Sequence, residues 1–326
     1  MALSLGAQGN DYLQPHEWLA GVSYRFLHSF RDFHFSEEIP VPSPPWLYAN
    51  THVHSWDVTI GYAVTRRMSL TLELPFQYAT RDTYNVDGIL QTYRSSGLGD
   101  VRLIGSYWLF DPNQHSNGNI SLALGVKAPT GDSKVTDNDN RAAGPVSRPV
   151  DPAIQLGDGG WGIVLGVQAF QKVFKDTSAY LQGNYLISPR EMNGTQTPWG
   201  DTPAATLGDI GYTINTVPDQ YIGRGGFIHT LWPKFGLSVS LGALINGLPA
   251  RDLIGGDEGY RVPGYAIYIE PGLSISRGKN FFSLTAPVAI ERHGDLAVAD
   301  IRTGNPIGGY AAFADFLITA SFSRRF

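Results

Sequence analysis

The chain has no cysteine in 326 residues. That excludes disulfides, thiol nucleophiles and cysteine-ligated zinc, and it leaves the cellular compartment open. Charge is also scarce. Asp, Glu, Lys and Arg make up 16% of the chain, against roughly 25% in an ordinary soluble domain. No run of about 18 apolar residues exists, so no segment reads as a transmembrane helix. A net charge of −5 without a basic block removes the electrostatic footprint of a nucleic-acid binder. Residues 1–10 lack the charged n-region and apolar h-region of a signal peptide. An exported protein with this start would be a mature form with Met1 added or retained.

What is present is aromatic and small. There are 16 Tyr, 16 Phe and 7 Trp beside 38 Gly, and 42% of residues are hydrophobic. Apolar residues that do not cluster must alternate, and the last stretch shows it. Ala312, Ala314, Phe316, Ile318, Ala320, Phe322 and then Phe326 take one face, and the mixed, more polar set Phe313, Asp315, Leu317, Thr319, Ser321 and Ser323 the other. That is a strand over 312–326 with one apolar and one wetter face. Similar alternation recurs along the chain and predicts strands over 17–30, 51–65, 68–81, 100–110, 119–128, 161–173, 177–187, 220–231, 235–246, 265–276 and 281–291. The connections alternate strictly between long and short. Short turns at one end and long loops at the other, joining about 12 strands of about 10 to 15 residues, predict an all-β chain. The expected fold is a transmembrane antiparallel up-and-down β-barrel, closed by pairing of the C-terminal strand with the first. Residues 17–326 form its single domain, and 1–16 form an N-terminal segment that could plug it.

The outward set carries Trp18, Tyr24, Trp56, Tyr62, Tyr78, Tyr107, Trp161, Tyr185 and Tyr265, which suits interfacial girdles. The inward set carries Arg25, Asp57, Glu73, Arg81, Asp100, Arg102, Lys127, Glu270, Glu291 and Asp315. Such charges are costly in hydrocarbon and expected in a lumen. Both signs occur, so no strong ion selectivity follows. Pro75, Pro271 and Pro287 fall inside strands; each marks a bulge or kink, and the sharper reading is a wall opening. His115 and Ser116 share a short turn and, extended, would point to opposite faces, so they make no catalytic pair. His52 and His54 share a face near the rim and read as rim residues, not a metal site. Asp137–Asn140 lacks the calcium-loop pattern and reads as solvated loop. No catalytic residue, cofactor or metal is expected.

Four further stretches carry a family pattern: Gly97-Leu-Gly-Asp100, Gly125-Val-Lys-Ala-Pro-Thr-Gly131, Gly157-Asp-Gly-Gly-Trp161 and Val217-Pro-Asp-Gln-Tyr221. In their order and spacing the chain, over roughly 51–326, resembles the outer-membrane "MetA-pathway of phenol degradation" transporter family. The resemblance implies a bacterial outer-membrane barrel that passes small, often aromatic, compounds. The expected function is a passive channel for small hydrophobic or aromatic solutes, with outer-membrane lipid and the barrel-assembly machinery as partners and Phe326 as the assembly signal. The alternatives are a structural barrel that binds a partner through the loops 129–160 and 188–218, and, third, an outer-membrane hydrolase. Oligomeric state is left open.

Overall fold

The computed structural model describes residues 12–39, 48–197, 208–305 and 308–326. Twelve antiparallel strands close into a barrel. They are β1 (Trp18–Ser29), β2 (Ala49–Ala63), β3 (Met68–Tyr84), β4 in two pieces (Leu90–Leu98 and Arg102–Trp108), β5 (Gly118–Lys127) and β6 (Gly162–Phe174). Then follow β7 (Thr177–Ile187), β8 (Gln220–Trp232), β9 (Leu237–Leu248), β10 (Gly264–Arg277), β11 in two pieces (Asn280–Thr285 and Val288–Gly294) and β12 (Phe316–Arg325). Each strand pairs with its chain neighbours, and β12 pairs with β1 from Leu19↔Arg325 to His28↔Phe316. Backbone bonds between Trp18 and Phe326 finish that ladder at 2.9 and 3.4 Å.

Alternation sorts the side chains as expected. Leu103, Leu124 and Leu241 stand outward with 54%, 63% and 60% of their surface uncovered, while Ile104, Ser121 and Val164 point inward and are buried. A wall this apolar on the outside is stable only against lipid. Among the described residues no helix is long and apolar enough to cross a membrane; the strands make the crossing.

The prolines mark breaks. Pro75 lies beside the gap between the two pieces of β4, where the Gly99 amide donates to its carbonyl at 2.7 Å. Pro287 splits β11, and Pro271 on β10 accepts from the Ala286 amide in that split at 3.0 Å. Proline offers no ladder donor, so the neighbouring strand bulges around it.

Four expectations need correction. The loop expected at 82–96 is a continuation of the wall: β3 and β4 extend past the membrane as a hairpin, paired to Tyr84↔Leu90. The stretch 129–160 is not irregular, since Thr136–Arg141 and Gly144–Pro149 form a hairpin. Asp137 and Asp139 within it bind the Arg94 amide and the Asn85 side chain, so this is no solvated loop. The last strand begins at Phe316 rather than Ala312. Residues 312–315 leave the wall, and Ala314 packs inside with Tyr268, Ala289 and Leu317.

Candidate functional site

An aromatic and aliphatic cluster narrows the barrel interior at the short-turn end. Phe170, Tyr180, Ile228 and Phe281 point inward and surround Tyr12, with Trp108 packed against them. Tyr12 meets Trp108 edge-on at 5.1 Å and donates to the His115 carbonyl at 3.0 Å. The segment expected to plug the barrel thus sends Tyr12 into its floor; residues 1–11 lie outside the described residues. Just above, Glu270 is fully buried 3.5 Å from Arg224.

Over this floor stand two chambers of about 460 and about 590 Å³, each the size of a small-ligand pocket. Arg25, Asp57, Arg102, Leu186, Leu248 and Phe313 line both and form the neck between them. Phe313 reaches this neck because residues 312–315 leave the wall.

The mouth of the upper chamber is narrowed from within. Val150 and Ile154, from the loop after the 136–149 hairpin, pack on the inward residues Val53 and Ala79. The Ile154 carbonyl accepts from Ser95 Oγ at 2.5 Å and Gln77 Nε2 at 3.4 Å. Arg81 donates to Thr51 at 2.7 Å and faces Asp151 at 3.6 Å. Nearby, burial pushes the Asp32 carboxyl up to about 6, with Arg81 opposing.

The four sequence motifs meet here. Asp100 accepts from the Gly131 amide at 3.0 Å, the Asp158 amide at 3.3 Å and Lys127 Nζ at 3.2 Å. Lys127, fully buried, also bonds Asp158. Thr130 Oγ1 donates to the Gly99 carbonyl at 2.8 Å. Glycine is required at 131, because a Cβ there would lie 2.5 Å from the Leu156 carbonyl oxygen. The fourth motif abuts the third: a Cβ on Gly160 would meet Val217 at 2.5 Å. Its buried Asp219 accepts from the Ser188 and Leu253 amides and the Tyr185 hydroxyl at 2.7, 2.9 and 3.0 Å. The motifs therefore build a knot that ties the inserted loop to β4, β5 and β7.

A seam runs between β11 and β12. Above Val288↔Phe316 the two strands share no further register pair. The gap is latched by Asp315, which is buried and accepts from the Phe30 and Arg31 amides at 2.7 and 3.2 Å. It also pairs with Arg31 at 2.6 Å and Arg292 at 2.5 Å. Glu291 is not in the lumen. A bulge between Ile267 and Tyr268 shifts the register, so Glu291 lies outward opposite Ile267 and accepts from Tyr265 at 3.0 Å.

Of the ten charges expected inside, Arg25, Asp57, Glu73 and Arg102 face open lumen. Arg81, Asp100 and Lys127 line the upper chamber while holding the inserted loop. Glu270 sits under the lower chamber, Asp315 is the latch and Glu291 is outside. Asp158, Arg31, Arg292, Arg224 and Phe313 were not singled out. His52 stacks on His28 at 4.2 Å on the outer wall, and His54 bonds Tyr24 at 2.8 Å. No cluster of three metal-binding side chains occurs among the described residues.

No protein-family model and no curated protein sequence matches the chain. Solved structures do. An outer-membrane channel from Pseudomonas putida F1 superposes over 97% of this chain and 98% of its own, with a TM-score of 0.62 at 14% identity. The β domain of the Bordetella autotransporter BrkA gives a TM-score of 0.48 at 13% identity over 96% of this chain and 100% of its own. The P. putida toluene transporter TodX gives 0.43 at 7% identity over 97% and 91%. At such identities the first match shows the fold, that of an outer-membrane β-barrel.

Proposed function

We propose that the chain is a bacterial outer-membrane channel for passive passage of small hydrophobic or aromatic molecules. The observation that carries this reading is the pair of stacked chambers along the barrel axis, each of small-ligand volume and joined at a neck where Leu186, Leu248 and Phe313 stand beside Arg25, Asp57 and Arg102. An eight-strand barrel fills its interior with side chains and a sixteen-strand one leaves an open channel; here the inserted loop and the ring floor divide an intermediate lumen into compartments. The resemblance of the four motifs to the phenol-degradation transporter family supports the same reading. So does the spatial match to an outer-membrane channel. With the long loops outside, β12 runs down to the periplasmic end. On this reading Phe326 serves as the assembly signal and outer-membrane lipid covers the apolar wall.

One observation favours a second route for the solute. At the seam the regular β11–β12 register ends at Val288↔Phe316 beside the upper chamber, and above it the contact is held by the Ala289 amide on the Asp315 carbonyl at 2.9 Å and by the Asp315 latch. Release of the latch would let an apolar solute leave sideways into lipid. The loop-display alternative is less well supported, because the 129–160 loop spends Val150, Ile154 and Asp158 on contacts inside the mouth.

Purified protein in planar bilayers tests the proposal, together with uptake of small aromatic compounds by a deletion strain. Ionic conductance or a loss of uptake is expected. Silence at all voltages with unchanged uptake would leave the barrel structural.

A further inference from the structure

Most charges inside this barrel are matched. Lys127 binds two carboxylates, Arg292 and Arg31 share Asp315, and Arg224 faces Glu270. Four are not. Arg25 on β1, Asp57 on β2, Glu73 on β3 and Arg102 on β4 line the lower chamber, yet none has a hydrogen bond or ion pair among the described residues. Glu73 and Arg102 are direct register partners, a position in which opposite charges ordinarily meet. They extend into the lumen instead. The result is a ladder of two cations and two anions on four successive strands. Across the circuit the same chamber is lined by Val164 of β6, Leu186 of β7 and Ile222 of β8, interspersed with the polar Gln182 and Asn184 and with Arg224, itself facing Glu270.

We infer that the lower chamber is a site for zwitterionic solutes with an apolar flank, and that the ladder binds the charged head. This rests on the channel reading above and narrows its solute class. A solute with one charge gains from one sign of the ladder and is opposed by the other. A purely apolar one must displace water from four unpaired charges, which is costly. A zwitterion offers each charge a partner, with charge-assisted hydrogen bonds to the arginines, while its apolar part packs on the β6 to β8 wall.

The test uses three aromatic probes of similar size: phenylalanine, phenethylamine and hydrocinnamate, which are zwitterion, cation and anion near pH 7. Binding to the full chain in a non-ionic detergent is measured by titration calorimetry. Phenylalanine should bind about tenfold more tightly than either analogue. The double variant Glu73→Gln with Arg102→Gln should lose that preference while keeping the heat-dependent gel shift of a folded barrel. Because these side chains have no hydrogen-bond or ion-pair partner among the described residues, their removal should leave the wall intact. Should that variant fail to fold, Arg25→Gln with Asp57→Asn provides the same comparison. Equal binding of the three probes, or a preference unchanged in the folded variant, overturns the inference. Potassium chloride conductance is recorded in parallel. Conductance without zwitterion preference sinks the inference alone, and preference without conductance sinks the passage reading alone.

Discussion

Replacing Lys127 with methionine keeps the length of the side chain and removes its charge, and the knot at the mouth should respond. Lys127 is 1% exposed, and its two partners Asp100 and Asp158 are 9% and 16% exposed. Removing one member of a buried ionic cluster costs about 3–5 kcal/mol, because the carboxylates left behind have lost their counter-charge. The inserted loop has a second anchor in Val150 and Ile154, worth about 1.5–3 kcal/mol for each side chain. The two anchors are of similar size, so the single substitution loosens the loop without expelling it. At 1.4 kcal/mol per factor of ten, the open population should rise about a hundred- to several-thousand-fold. Amide hydrogen exchange reads this directly in the segment 150–158, which includes the Asp158 amide bound to Asp100. Exchange there should accelerate by that factor, with no change in β6 or β7. Adding Ile154→Ala should bring the segment close to the unprotected rate. If Lys127→Met leaves exchange of 150–158 unaltered, the knot does not hold the loop and the reasoning fails.

Other outcomes follow from the same structure. Asp32 has its carboxyl raised to about 6 by burial. The neutral form is therefore favoured in the folded mouth, and stability falls as pH rises from the ordinary carboxylate range through about 6. Asp32→Asn should raise the temperature at which the folded gel band is lost at pH 8 and leave it unchanged at pH 4; a change of equal size at both would refute the burial argument. Leu124→Arg places a charge on the lipid face, where the cost is about 2–4 kcal/mol near the midplane. Folding yield into vesicles should drop, whereas Asn184→Arg, facing the lumen, should fold normally. Asp315→Ala unlatches the seam and leaves Arg292 buried without its partner; a lipid-embedded spin label on Val288 should report increased mobility, and identical spectra would show that the latch carries no load. Deleting Phe326 should slow insertion in cells far more than it alters the wall once folded, as measured by the fraction of heat-modifiable protein.

The wall was legible because lipid imposes one rule on every strand. Leu70, Leu72, Leu74 and Phe76 face outward on alternate positions, and no tertiary contact is needed to see it. The mouth was not legible for the opposite reason. Val150 and Ile154 are isolated apolar residues in a polar stretch, and only their contact with Val53 and Ala79 gives them meaning. Asp100 and Lys127 were visible as inward charges, but their joint grip on Asp158 depends on a loop of 34 residues between β5 and β6. Glu291 was misplaced by counting in twos across a bulge, since one extra residue flips every side chain beyond it. Pro287 announced that irregularity without showing its extent. Asp315 is buried at the seam, and nothing in its sequence neighbourhood reveals that Arg31 and Arg292 converge on it from both sides.

The pairing of Leu19 with Arg325 has a consequence for the order in which the molecule is made. Every other ladder in the wall joins strands adjacent in the chain, so hairpins can zip as they emerge. This one waits for the last residues and must close a ring almost as long as the chain itself. Until then β1 and β12 are both bare edges. The latch is incomplete as well, because Arg31 follows β1 whereas Arg292 lies in β11 and Asp315 just precedes β12. Closure and gating therefore mature in one step. A barrel stalled before that step is expected to have a complete set of hairpins and no working mouth.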